Sequence, residues 1–137
     1  MTLDEAIYSR LSGYAGLSAL VSDRIYPGEI PQGDDLPAVT MQLISTYQPK
    51  ASGTNPTLSR PRWRMRSWGE TMASAKGVAV QVKAALGDYT GTMGGAGGVV
   101  VQRVFFDNQG YEEPLYNPET KEITEGVWQD YLIWAEE

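Results

Sequence analysis

The segment Arg60–Glu70, RPRWRMRSWGE, places arginine at positions 60, 62, 64 and 66 and sets Trp63, Met65 and Ser67 against them. Strict alternation is the period of a β-strand, whose successive side chains leave opposite faces. One face of this strand is therefore charged, with Trp68 continuing it, and the other is apolar. At a rise of roughly 3.3 Å per residue the four guanidinium groups leave one sheet face within about 20 Å. Such a row repels itself unless water or acids match it. The chain is acidic overall, with 11 basic and 17 acidic residues and a formal net charge of -6. Nine acids and one base, Lys121, lie between Asp107 and Glu137, so matching carboxylates are available in the last third. Three readings follow: a row solvated or paired within the chain, a charged seam between subunits, or a DNA contact. The seam would use carboxylates of the same or a neighbouring chain. The DNA contact would weaken steeply with salt.

Composition narrows the chemistry. At 137 residues the chain reads as one domain, residues 1–137, with 42% hydrophobic and 20% charged residues; a chain of this size buries roughly 65–70% of its unfolded surface. It contains no cysteine and no histidine. That excludes disulfides, thiol nucleophiles, Ser-His-Asp triads and His-ligated zinc. No cofactor or metal site is expected. No run approaches 18 apolar residues, and MTLDEAIYSRL lacks a basic region followed by an apolar one. Neither a membrane span nor a signal peptide is expected, and a cytoplasm-like compartment is the reading.

Along the chain, Thr2 and Glu5 have the spacing of a capping box, and Leu3, Ala6, Ile7 and Leu11 recur at helical intervals, predicting a helix over 3–12. YAGLSALV adds a short helical turn. After RIYP comes a proline- and glycine-rich crossing, PGEIPQGDDLP, denied a regular ladder by Pro27, Pro31 and Pro37. AVTMQLISTY, 38–47, alternates as a strand. Residues 48–59 form a polar loop without periodicity, long enough for a functional arm. Thr71 is a cap for a helix over 71–86 whose apolar stripe is Met72, Ala75, Ala79, Val82 and Leu86. A flexible joint over 90–98 precedes the strand VVVQRVFF. Residues 107–126 read as polar turns, with Asn117-Pro118 marking one. GVWQDYLIWAEE closes the chain as a strand, with Trp128, Asp130, Leu132 and Trp134 on one face and Val127, Tyr131 and Ile133 on the other. The predicted class is α+β: a mostly antiparallel sheet with two main helices packed on one face.

Other candidate chemistry is thin. GGAGG at 94–98 follows a helix and precedes a strand, the reverse of a phosphate-binding dinucleotide loop, and reads as a flexible or close-packed hinge. The late carboxylates could pair for acid–base work, but most sit in turns and nothing specifies a pocket. The chain is not expected to be an enzyme. Four tryptophans and eight tyrosines read as core, or as aromatics held at an interface.

Three stretches together resemble the tail-completion family of siphovirus-like bacteriophages, the tail terminators and head–tail joining proteins. They are the opening helix running into RIYPGEIPQGDDLPAVTMQLIS, then RWRMRSWGETMASAKGVAVQVKAAL, then the late Tyr/Glu/Pro turn followed by GVWQDYLIWAEE. They span nearly the whole chain in order, and none is a catalytic signature. Arg66-Ser67, where a more acidic strand is expected, and the glycine-rich joint depart from the pattern.

The resemblance implies a ring-forming subunit, typically of six copies, in the virion tail or neck and assembled in the host cytoplasm. Such a ring caps the head-proximal end of the tail tube, stops its elongation and joins it to the head connector. DNA would pass transiently through its channel. On this reading the partners are further copies, the tail tube protein and the connector protein, with no membrane. Arg60, Arg62, Arg64 and Arg66 become candidates for a subunit or channel interface, with the seam favoured. Lys50, Ser52, Thr54 and Asn55 become candidates for a partner-docking loop. A connector-side neck adaptor and a small DNA-binding protein are the alternatives.

Overall fold

The computed structural model describes residues 1–31, 35–49 and 58–136. Three helices, α1 (Leu3–Ser12), α2 (Ala15–Val21) and α3 (Met72–Leu86), accompany seven strands. The strands are β1 (Ile25–Pro27), β2 (Ala38–Tyr47), β3 (Leu58–Gly69), β4 (Gly91–Met93), β5 (Val99–Tyr111), β6 (Leu115–Asn117) and β7 (Glu122–Glu136). The class is α+β. The sheet runs β1-β2-β3-β7-β5-β4, with β6 beside the start of β7, and among the described residues only the β1–β2 pair is parallel.

The sequence predicts two main helices, and the described residues contain three. The short turn at YAGLSALV is a full helix because Leu17 and Val21 are completely buried in the core beside Leu3, Ile7 and Leu11. Each buried aliphatic side chain of this kind stabilises the fold by about 1.5–3 kcal/mol. Arg10 ties α1 to the end of α3 by donating from Nε to the Ala85 carbonyl at 2.9 Å, while its guanidinium lies over Tyr14 and Tyr89.

The helices cover one face of the sheet. In β3 that face is Trp63, Met65 and Ser67, and in β7 it is Val127, Gln129, Tyr131, Ile133 and Ala135, all buried. Tyr131 and Gln129 partner their buried polar atoms in a short relay, whereas Trp63 Nε1 and Ser67 Oγ on the same face have no hydrogen-bond partner among the described residues. Tyr131 donates to Gln129 Oε1 at 3.0 Å, and Gln129 Nε2 donates to the Ala79 carbonyl of α3 at 3.2 Å. Pro61 sits inside a central strand, where it has no N–H to give. The ladder to β7 lapses there: Ser59 pairs with Ala135 and pairing resumes at Arg62–Leu132.

The strands exceed their predicted lengths in two places. Residues 107–126, read as turns, include the end of β5, all of β6 and the start of β7. The polar residues in them are compatible with strand because they face solvent on a ribbon rather than a core. Leu58 and Ser59, read as loop, open β3. Irregularities at Leu43/Ser45, Val101/Arg103 and Phe106/Asn108 curl the sheet, as bulges do by adding local twist. The GGAGG stretch forms the β4–β5 turn. Gly94, Gly95 and Gly97 take positive φ, and Gly98 has no room for a Cβ against the Met93 carbonyl.

Candidate functional site

The arginine face is the sheet surface opposite the helices. Antiparallel register brings β2, β3, β7 and β5 side by side there. Arg64 stands between Gln42 and Asp130, Arg66 between Thr40 and Trp128, and Arg62 opposite Leu132. Because β7 alternates, Asp130, Trp128 and Trp134 all reach the face that the arginines occupy.

Asp130 is the hub. Its carboxylate accepts from Arg64 Nε at 2.7 Å and Arg64 Nη2 at 3.0 Å, a two-point grip, and from Arg62 Nη1 at 3.2 Å. Its side chain is only 6% exposed. Burial alone would push this carboxyl up. The hydrogen bonds and charges of Arg64 and Arg62 together outweigh that and hold it below the ordinary carboxylate value. Arg62 also donates to Asp107 at 2.7 Å, and this contact is the main cause raising its pKa; the Asp130 hydrogen bond does the same for Arg64. Arg66 donates from Nε to Glu112 Oε1 at 2.7 Å and from Nη1 to the Gln42 side-chain carbonyl.

Aromatic rings fill the spaces between the ions. The Arg64 guanidinium lies 4.6 Å from the Trp128 ring centre, and that ring covers Gly110 so closely that a Cβ there would stand 2.7 Å from it. Trp68 covers Gly126 in the same way and donates its indole N–H to Thr40 Oγ1 at 3.0 Å. Arg60 differs from the other three. It stacks over Tyr47 at 4.9 Å and Trp134 at 5.5 Å, and it has no carboxylate partner among the described residues. A cleft crosses one end of this face, bordered by Gly28, Ile30, Gln42, Arg66, Trp68 and Leu115.

The structure thus brings all four arginines onto one face and pairs Arg62, Arg64 and Arg66 within their own chain. Lys50, Ser52, Thr54 and Asn55 lie outside the described residues. The sequence located acids in the last third without selecting Asp107, Glu112 and Asp130. Of these, Asp130 carried a usable signal, its shared parity with Trp128 and Trp134. Asp107 sits in a bulge and Glu112 in the link between β5 and β6, where parity fails. The glycines beneath the rings gave no signal in sequence.

Helices on one face of a curled sheet and an ion-paired, ring-tiled lattice on the other define a structural α+β domain whose organised surface is built for rigidity. The family model for tail completion protein gp17 matches residues 5–116, and the chain belongs to that family. It is accordingly a structural, tail completion protein of the virion tail or neck, and not an enzyme. No curated protein matches the chain. Among solved structures, a chain of the virion of a native gene transfer agent particle shares the fold with a TM-score of 0.68. Identity to it is 18%, over 98% of this chain and 95% of that one. No helix among the described residues is long and apolar enough to cross a membrane.

Proposed function

We propose that the protein is a tail terminator, copies of which form a ring of six on the head-proximal end of the tail tube. The ring stops tube elongation and gives the head connector a surface to join, leaving a channel for DNA. Membership of the tail completion family over residues 5–116 carries this reading. The arginine face argues against a nucleic-acid role for the stripe, because Arg62, Arg64 and Arg66 are paired within their own chain. A phosphate at Arg62, Arg64 or Arg66 would have to displace a carboxylate already held at 2.7 Å, and charge-assisted bonds of that length are the strong ones. The segment containing Lys50, Ser52, Thr54 and Asn55 is, in this proposal, the arm that meets the tube or the connector.

Electron microscopy of particles assembled without this protein tests the function. Overlong, headless tails beside filled heads are the expected result, because only loss of the cap lets the tube keep growing. Tails of normal length that fail to join heads would overturn the terminator reading and move the protein to the connector side of the neck.

A further inference from the structure

The described residues leave two surfaces of the subunit uncovered, and these lie toward opposite ends of the strands. The first is the outer edge of β2. β1 flanks β2 only at Val39–Met41, and beyond Gly28, which donates to the Met41 carbonyl, no described strand covers that side. The bare stretch is Gln42–Tyr47, exposed throughout, with Leu43 47%, Ile44 38% and Tyr47 52% accessible. The second is the ribbon made by β6 and the first residues of β7. β3 ends opposite Glu125, so this ribbon is two strands wide with free edges on both sides. Tyr116 and Ile123 pair across it and are 59% and 48% exposed. Two-stranded ribbons are marginal in water unless something packs on them.

Within one chain Gln42 and Leu115 border the same cleft, but the Leu43–Tyr47 stretch and the Tyr116–Ile123 pair stay apart. The bare edge is level with Tyr131 and Leu132 through β3, and from Tyr131 back to Ile123 along β7 is roughly 26 Å at about 3.3 Å per residue. Their charges are complementary. Residues 36–69 contain five bases and no acid, while 112–125 contain five acids and one base. Glu112 is committed to Arg66. Glu113, Glu119, Glu122 and Glu125 hold no described ion pair, and neither does Arg60, which stacks on Tyr47 at the end of the bare edge.

We infer that the β6–β7 ribbon of one copy lies along the Gln42–Tyr47 edge of the next. Tyr116 and Ile123 cover Leu43 and Ile44, and a ribbon carboxylate meets Arg60. The contact adds main-chain hydrogen bonds between two open edges, the mode of strand addition. It joins unlike surfaces, so it is head-to-tail and generates a ring or a filament rather than a closed dimer. Arg60, not the three paired arginines, is the residue of the stripe that reaches another copy. The inference rests on the ring reading above, to which it adds the surfaces in contact.

The chain has no cysteine, so an engineered pair is unambiguous. Particles are assembled with the full-length Ile44→Cys, Tyr116→Cys double variant, both positions being exposed, and are oxidised mildly. In parallel, unmodified particles are treated with an amine-reactive cross-linker. The expected result is a ladder of disulfide-linked multimers extending past the dimer, absent from either single variant. Multimers with the amine cross-linker but no such disulfide ladder would overturn this contact while leaving the ring intact. A single chain by both methods would overturn the contact and the ring together.

Discussion

Asp130 shows how one side chain can decide the behaviour of a whole surface. It is nearly buried, grips Arg64 at two points and shares Arg62 with the more exposed Asp107. Losing one partner of a buried ion pair leaves an uncompensated charge and costs about 3–5 kcal/mol, whereas exposed pairs contribute about 0–1 kcal/mol. Asp130→Asn is therefore expected to destabilise the protein by several-fold more than Asp107→Asn, measured by urea unfolding at neutral pH. The depressed Asp130 pKa fixes the sign of its pH dependence. Its contribution is fully present above the unfolded value of about 3.9 and is lost as pH falls through the lower, folded value. Unfolding measured between pH 5 and 2 (both approximate limits) should consequently show a steeper acid loss in the parent than in Asp130→Asn.

Among the elements, periodicity was a good guide wherever one face met the core. The bounds of α1 and β2 match the sequence reading, and the β7 faces fall as alternation assigned them, because burying one parity of that strand enforces the pattern. It failed over residues 107–126, where the end of β5, β6 and the start of β7 bury almost nothing and so leave no apolar record in the sequence. Caps were legible only as candidates. Thr71 Oγ1 accepts from the Ser74 N–H at 3.1 Å, as a helix cap should. Thr2 makes no such bond; its hydroxyl donates to Glu5 at 2.8 Å instead, so the capping box expected there is absent. Thr71→Ala should cost about 1 kcal/mol, and Thr2→Ala clearly less, a difference that thermal unfolding of the two variants would resolve. For the candidate site, the stripe and its sidedness were legible from spacing. Its partners were not, since register across four strands is a tertiary fact that no local pattern encodes.

For the whole molecule, the fold separates two jobs. The helix face supplies the hydrophobic core, and the opposite face is stiffened by paired charges and by rings laid across Gly110 and Gly126. Among the described residues, what remains for contact with further copies is the periphery: the bare edge of β2, the ribbon, and Arg60. That edge, QLISTY, contains no lysine, proline or acid, the residues by which strand edges are usually kept from sticking to one another. A subunit outside the particle therefore carries an adhesive strip whose one guard is the irregularity at Leu43/Ser45, and its solubility depends on whether that strip is covered. Ile44→Lys adds the missing gatekeeper. It is expected to raise the soluble yield of the isolated protein while lowering its recovery in particles. Unchanged recovery would mean that the strip is left open in the virion as well.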